Sequence, residues 1–228
     1  NNNIYVGFSD ANNNWGPNVM KFDGAKWSNV GSGFSNIQTN ANIMALDAKG
    51  SPYMAYRDGS TGNYITVIKY DGSNWNSVGS AGIGSPMGCC GYDDIGFAID
   101  SNNVPYVAFV DSYNSNKVTV LGYTGSSWAV VGTVGFTKPV ERVSLSIDSS
   151  NTLYISVEDT LNHKATVMKF EQSQSKKFWK NAGNTGSYSN NSEIVNIVSD
   201  SNNTKYVAFS DSDQNDKATV IKYDGLNS

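Results

Sequence analysis

The stretch PYVAFVD, residues 105–111, decides the fold, because close copies of it recur along the whole chain. Five segments share a tyrosine and an aspartate five positions later: IYVGFSD (4–10), PYMAYRD (52–58), PYVAFVD (105–111), LYISVED (153–159) and KYVAFSD (205–211). By subtraction, the tyrosines Tyr5, Tyr53, Tyr106, Tyr154 and Tyr206 are 48, 53, 48 and 52 residues apart. A period of about fifty residues is typical of repeat architectures.

The residues of each copy predict a β-strand that is covered on both sides. In residues 105–111, Tyr106, Ala108 and Val110 alternate with Val107 and Phe109. Successive side chains of a strand point to opposite faces, so both faces are apolar. We therefore expect each of these strands to lie between two neighbouring sheets.

Three further strands accompany each copy. An inner strand ends six residues before the last four tyrosines, at Asp47, Asp100, Asp148 and Asp200, and the short segments after these aspartates have tight-turn residues. A third strand such as TVIKYDG (66–72) follows, and then a fourth that carries a tryptophan: Trp27, Trp75, Trp128 or Trp179. The first three tryptophans recur in register with the strands, which predicts that they are buried between blades.

Repeated four-stranded meanders predict an all-β fold, a β-propeller of about five four-stranded blades in one domain, 1–228. The repeats are approximately 1–35, 36–84, 85–136, 137–187 and 188–228. Five second and five third strands are present, but four inner and four outer ones, so the end blades are incomplete. Three-stranded end blades, a fragment of a larger ring, and strands from another chain are the alternatives. Exposed strand edges invite pairing, so self-association through the ends is expected.

The tryptophan strands share a WxxVG motif, seen in WSNVG (27–31), WNSVG (75–79) and WAVVG (128–132), with WKNAG (179–183) as a divergent copy. This motif resembles that of secreted bacterial-type β-propeller repeat proteins, and the chain is loosely similar to the five-bladed tachylectin-type lectins. The resemblance covers nearly the whole chain and implies a lectin-like architecture, while leaving the ligand open. It also implies an extracellular or cell-surface location.

Composition and motifs exclude several functions. The net charge is −4 and no Lys/Arg run occurs, which argues against a nucleic-acid partner. No apolar stretch approaches the ~18 residues of a membrane helix, so no membrane insertion is expected. His163 is the sole histidine and lacks a companion at metal-ligand spacing. No nucleophile, phosphate-loop or zincin motif is present, so neither a catalytic residue, a metal nor a cofactor is expected.

The loops between second and third strands, and between blades, are longer and more variable than the tight turns, so they predict the functional face. Five aspartates end the second strands on that face and could bind sugar hydroxyls or cations: Asp10, Asp58, Asp111, Asp159 and Asp211. The alternative is that they cap their hairpins or pair with a lysine beyond the loop. Trp15, Tyr64 and Tyr113 lie in the same loops among polar residues, where their rings suit sugar stacking.

These features favour a non-enzymatic extracellular binding or surface-assembly module that recognises a glycan or a protein through the longer-loop face. The alternative is a glycoside-acting enzyme with carboxylates near the propeller axis. Its candidate acids are Asp93, Asp94, Glu141, Glu158, Asp159 and Glu193.

Cys89 and Cys90 lie in a blade-to-blade link that is longer than its counterparts. Adjacent Cα atoms are ~3.8 Å apart, below the usual disulfide span, so a vicinal disulfide would be strained and readily reduced. Such a bridge would stiffen a binding lip. Two free thiols, or a bridge with only a structural role, are the alternatives.

Overall fold

The computed structural model describes residues 3–31, 39, 41–86, 95–160, 164–172, 177–182, 192–211, 214–215 and 217–223. Apart from three 3-10 turns, Ala11–Asn13, Gly59–Thr61 and Ser112–Asn114, the regular structure of these ranges is β-strand. The strands in chain order are β1 (Ile4–Asp10), β2 (Gly16–Phe22), β3 (Trp27–Asn29), β4 (Asn42–Leu46), β5 (Pro52–Asp58), β6 (Tyr64–Tyr70), β7 (Trp75–Ser77), β8 (Ile95–Ile99), β9 (Pro105–Asp111), β10 (Lys117–Tyr123), β11 (Trp128–Val130), β12 (Val140–Ile147), β13 (Leu153–Asp159), β14 (Lys164–Gln172), β15 (Lys177–Asn181), β16 (Ser192–Ser199), β17 (Lys205–Asp211) and β18 (Lys217–Tyr223).

The strands form five antiparallel meanders, which are the blades of a five-bladed β-propeller. Blade 1 is β1–β3, blade 2 is β4–β7, blade 3 is β8–β11, blade 4 is β12–β15 and blade 5 is β16–β18. The predicted fold class is confirmed, including four-stranded central blades and three-stranded end blades within the described ranges. No helix in these ranges is long and apolar enough to cross a membrane.

The hydrophobic core consists of four clusters, one at each junction between consecutive blades. At the junction of blades 2 and 3, Tyr53 and Val67 of one blade pack with Val107 and Phe109 of the next. The second strand of each central blade thus contributes one face to the preceding junction and the other face to the following one. This agrees with the apolar alternation of its sequence.

Two sets of equivalent residues show that each end blade has one face that no other described blade covers. The repeated tyrosine near the start of each second strand is here called the blade tyrosine. The residue after it is fully buried in blades 2–5, at Met54, Val107, Ile155 and Val207, whereas Val6 of blade 1 is 44% exposed. The third-strand valine is at most 4% exposed in blades 1–4, at Val19, Val67, Val120 and Val167, whereas Val220 of blade 5 is 64% exposed. Among the described residues, no neighbouring blade covers Val6 or Val220.

The WxxVG motif joins each blade to the preceding one. The indole N–H of Trp75 donates to the carbonyl of Val30 at 2.7 Å, and that of Trp128 to Val78 at 2.8 Å. The glycine of the motif lies beside the same ring: Gly79 has a φ of 74°, and a Cβ there would lie 3.1 Å from Trp128 Nε1. Only glycine combines that backbone conformation with this close approach.

The prediction of burial for the first three tryptophans needs correction. Trp75 and Trp128 do lie between blades, but they are half-buried rather than fully buried. Trp27 is 44% exposed, because the described chain contains no blade before blade 1. Trp179, in the divergent copy of the motif, is buried and donates to the carbonyl of Val131 at 3.0 Å.

The tight turns after the inner strands are held by their aspartates and also connect blades. Asp100 accepts hydrogen bonds from the backbone N–H groups of Asn102 and Val104. Asn103 follows in the left-handed region, with a φ of 64°, and its side-chain oxygen accepts the N–H of Ala48 in the preceding blade. The same bond recurs from Ser101 to Asn151 and from Ser149 to Asn203.

Candidate functional site

The aspartates on the longer-loop face act as caps. Asp10, Asp58 and Asp111 each precede a 3-10 turn, and each carboxylate accepts the N–H two residues later, at 2.9, 2.9 and 3.1 Å. Asp58 and Asp111 are buried and also accept hydrogen bonds from Thr66 and Thr119, both at 2.7 Å. These carboxylates are therefore occupied in holding their own hairpins.

The remaining sequence-derived candidates on this face differ in how far the structure describes them. Asp211 ends β17 and is buried. Asp159 ends β13, and only its backbone belongs to the described part of the chain. Cys89, Cys90 and His163 lie outside the described residues.

The structure brings Tyr64 and Tyr113 together on the longer-loop face. Their hydroxyl oxygens are 2.5 Å apart, which links blades 2 and 3, and the ring of Tyr113 is exposed. The hydrogen bond with Tyr64 raises the pKa of Tyr113. Trp15 is also exposed and lies in the loop of blade 1, in the left-handed region with a φ of 59°.

Some of the acids that the enzymatic alternative would use lie outside the described part of the chain. Asp93 and Asp94 lie outside the described residues, as does the side chain of Glu193. Glu141 is exposed, whereas Glu158 is buried and accepts a hydrogen bond from Arg142 Nη1 at 2.8 Å. Within the described ranges, His, Cys, Asp and Glu side chains do not converge in threes to form a metal site.

Two clefts open on the opposite face, where the tight turns emerge, and the sequence analysis missed both. The blade 2–3 cleft has a volume of about 660 Å³ and the blade 1–2 cleft about 430 Å³. The blade 2–3 cleft is lined by Tyr53, Lys69, Asp71, Asn76, Ser77, Val78, Asn102, Asn103, Val104, Pro105, Tyr123, Thr124 and Gly125. The blade 1–2 cleft is lined by Tyr5, Lys21, Ser28, Asn29, Val30, Lys49, Gly50, Ser51, Pro52, Tyr70, Asp71 and Gly72.

The two clefts are equivalent sites in successive repeats. Each contains the blade tyrosine, Tyr5 or Tyr53, and the lysine opposite it on the third strand, Lys21 or Lys69. The three residues before the motif glycine form one wall, and two turns of the next blade form the other. A sequence signal exists: a lysine sixteen residues after the blade tyrosine, and a proline immediately before the next one.

The blade 2–3 cleft contains a charged group in a defined position. Lys69 Nζ lies 3.0 Å from Asp47 Oδ2 and 4.8 Å from the centroid of the Tyr53 ring. Burial alone would lower the pKa of Lys69, but the contacts with Tyr53 and Asp47 outweigh it and raise the pKa. Burial would likewise raise the pKa of Asp47, but the N–H of Ser51 and the ammonium of Lys69 lower it. Lysine and aspartate are both charged at neutral pH.

Neither a protein-family model nor a curated protein matches the sequence. Solved structures match at the level of the fold. The fucose-specific lectin of Aleuria aurantia matches with a TM-score of 0.66 and 18% identity over 99% of this chain and 72% of the lectin. A second structure of that lectin, described as a six-bladed β-propeller, matches with a TM-score of 0.68 and 16% identity over the same shares.

Two enzymes share the architecture as well. A polysaccharide lyase, the ulvan lyase of family PL25, matches with a TM-score of 0.61 and 12% identity over 100% of this chain and 68% of its own. The leech intramolecular trans-sialidase matches with a TM-score of 0.58 and 12% identity over 91% and 36%. At these identities the likeness shows the propeller fold alone.

Proposed function

We propose that this propeller is a non-enzymatic carbohydrate-binding module whose sugar sites are the blade 1–2 and blade 2–3 clefts. The observation that carries the proposal is repetition: a tyrosine, a lysine and a proline at equivalent positions, together with equivalent turns, line a cleft at two successive junctions. A binding protein built from repeats gains avidity when equivalent sites engage one branched or surface-displayed ligand.

The chemistry of the blade 2–3 cleft suits a sugar. The Lys69 ammonium and the Asn102 amide offer hydrogen bonds to hydroxyl groups, and Tyr53 and Tyr123 supply aromatic surface. The side-chain nitrogen of Asn76 donates to Asp71 at 2.8 Å, which leaves its oxygen as an acceptor. The Asp47 carboxylate offsets the charge of Lys69, so a neutral sugar meets no unbalanced ion. The lectin of Aleuria aurantia, which is named as fucose-specific, gives a precedent for sugar binding on a similar propeller.

We place a second contact surface for a glycan or a protein on the longer-loop face, at Trp15, Tyr64 and Tyr113. Asn63 and Asn116 occupy the position of Trp15 in the next two blades, and asparagine adopts left-handed angles with less strain than a bulky residue. An exposed, strained tryptophan supports a role in binding. The low charge and the polar loops suit a protein located outside the cell or at its surface.

Replacing Lys69 by Met should weaken sugar binding at the blade 2–3 cleft by about tenfold or more, because a hydrogen bond from a charged group contributes ~1.5–3 kcal/mol. The measurement is calorimetric titration of the 228-residue chain with a sugar first identified on a glycan array.

The matched control is Lys169→Met. Lys169 lies opposite Tyr154 as Lys69 lies opposite Tyr53, but its ammonium is bound to Glu171 at 2.9 Å, outside either cleft. Binding should not change in this variant. Equal losses in both variants, or no loss in Lys69→Met, would contradict a site in the cleft. Thermal unfolding of each variant verifies that the fold is retained.

A hydrolysis and lyase screen on polysaccharides tests the enzymatic alternative. The proposal expects binding without turnover. Turnover that disappears in Glu158→Gln, while the variant keeps its fold, would overturn the non-enzymatic assignment, because Glu158 is a described candidate acid of that alternative. The Arg142 contact makes Glu158 a structural ion pair in our proposal.

We also propose that the chain self-associates through the open faces of its end blades. Val220 is 64% exposed and Val6 is 44% exposed, although their equivalents elsewhere form the core. Sedimentation velocity should show a species larger than 24.6 kDa that decreases on dilution. Val220→Asp should shift the population towards the monomer, and Val130→Asp, at an exposed valine of β11 in central blade 3, is the control. A monomer at every concentration would refute the association.

A further inference from the structure

The residue at one position differs among the four blade junctions of the described chain. It is proline at the two junctions whose clefts are described above. The residue directly before the blade tyrosine opens the second strand of each following blade, and it is Pro52, Pro105, Leu153 or Lys205. Pro52 and Pro105 line the two clefts. A proline side chain is short and closes back onto its own backbone, so it leaves the space between the blades open.

At the junction of blades 4 and 5, the side chain of Lys205 fills the equivalent space. Its ammonium lies 3.0 Å from Asp148 Oδ2 and 4.2 Å from the centroid of the Tyr154 ring, and it donates to the carbonyl of Asn203 at 2.8 Å. Only 8% of this side chain is exposed. The ammonium of Lys205 thus takes the place that Lys69 has beside Tyr53, but it arrives from the following blade.

At the junction of blades 3 and 4, two positions carry residues that differ from those of the clefts. Leu153 is buried where the clefts have proline. Gly122 stands opposite Tyr106 where the clefts have lysine, and a Cβ at Gly122 would lie 2.9 Å from Tyr106 Cε1. The tyrosine ring therefore lies directly against the third strand, on the site that a lysine stem would occupy.

We infer that the residue before the blade tyrosine selects which junctions bind ligand, so that, among the four junctions of the described chain, the two with proline are the sugar sites, at the blade 1–2 and blade 2–3 clefts. The inference rests on the proposed function. Proline opens a junction, whereas leucine or lysine supplies an occupant from within the chain. Within the described part of the chain, the number of sites then depends on these four positions and not on the number of blades.

Amide chemical shifts of the ¹⁵N-labelled 228-residue chain test this site map directly. The probes are L-fucose, D-galactose and N-acetyl-D-glucosamine, titrated separately. The expected result is saturable shifts for the amides of Gly50 and Asn103, one in each cleft, with the amides of Leu153 and Lys205 unchanged. Shifts at Leu153 or Lys205 with the same saturation would overturn the inference while leaving carbohydrate binding intact.

A reciprocal pair of variants tests the role of proline. Pro105→Leu should abolish the response of Asn103 and leave that of Gly50, and Pro52→Leu should do the reverse. Each variant is the control for the other, and the stoichiometry should fall from two to one in both. Leucine is accepted at this strand position in blade 4, which supports folding of the variants.

Three further outcomes separate the two proposals. Unchanged responses in folded Pro52→Leu and Pro105→Leu would overturn the selecting role of this position. A response confined to the longer loops would keep carbohydrate binding on that face, but it would overturn both the assignment of sugar sites to the clefts and the inference. No response to any of the three sugars, together with a negative glycan array, would overturn the proposed function, and the inference would be rejected with it.

Discussion

Alanine substitution of the four motif tryptophans is expected to give a graded loss of stability. Trp179→Ala should lower the free energy of unfolding by about 5 kcal/mol, and Trp75→Ala or Trp128→Ala by about 3 kcal/mol, since they are half-buried. Trp27→Ala should cost less than about 1 kcal/mol, because no blade of the described chain covers its outer side. Urea unfolding of the four variants measures the series.

The comparison of Trp27 with Trp75 isolates the contact between blades. Trp27 lies 5.3 Å from the ring of Phe22, and Trp75 lies 5.3 Å from the ring of Tyr70, so the contact within the blade is matched. Only Trp75 also donates a hydrogen bond to the preceding blade. Equal losses in Trp27→Ala and Trp75→Ala would mean that the tryptophan acts within its own blade, which would contradict the joining role of the motif.

Trp75→Phe separates ring packing from hydrogen bonding. The phenyl ring retains most of the apolar contact but cannot donate to Val30. The expected cost is about 1 kcal/mol or somewhat more, since the buried carbonyl loses its partner. This variant should therefore lie between wild type and Trp75→Ala in the same unfolding experiment.

The sequence predicts the blades well because each blade is a local structure. A strand, the turn after it and the next strand lie within about fifteen residues. The pattern of tyrosine, aspartate and turn residues therefore predicts them directly. The burial of Trp27 was predicted wrongly for a related reason. Register within a repeat shows that a tryptophan belongs to an outer strand, but its burial depends on a neighbouring blade.

The clefts depend on residues from different repeats, which explains why the sequence analysis missed them. Tyr53 and Pro105 belong to different repeats, and within its own blade each one indicates a strand and not a binding site. Loop length pointed to the other face, where Asp58 and Asp111 turn out to hold hairpins. Comparing the residues of consecutive repeats column by column would reveal the tyrosine, lysine and proline set, whereas reading along one repeat does not.

Breaking the Lys205–Asp148 pair should also cause a large loss in the free energy of unfolding. Its side chains are 8% and 6% exposed, whereas Lys69 in the equivalent pair with Asp47 is 37% exposed. Removing one partner of a buried pair leaves an uncompensated charge and costs about 3–5 kcal/mol. Lys205→Met should therefore destabilise the protein by that amount, and Lys69→Met by about 1 kcal/mol or less, because solvent reaches its ammonium.

The pH dependence of this contribution follows from the two pKa shifts. Burial alone would raise the pKa of Asp148, but the N–H of Thr152 and the Lys205 ammonium lower it below its ordinary value of 3.8. The stabilisation by this carboxylate is therefore present above pH 3.8 and is lost as pH falls through the lowered pKa. Burial alone would lower the pKa of Lys205, but Tyr154 and Asp148 raise it above 10.5. That stabilisation is present below pH 10.5 and is lost as pH rises through the raised pKa.

The difference in unfolding free energy between wild type and Lys205→Met should consequently be constant from about pH 5 to pH 9 and shrink at more acidic pH. Asp148→Asn combined with Lys205→Met should recover part of the stability, because the double variant buries no unpaired charge. Urea unfolding at several pH values, with Lys69→Met as the matched comparison, provides the measurement. A loss in Lys205→Met that persists unchanged at pH 2.5, or that equals the loss in Lys69→Met, would contradict the stabilising role of the buried charge pair at this junction.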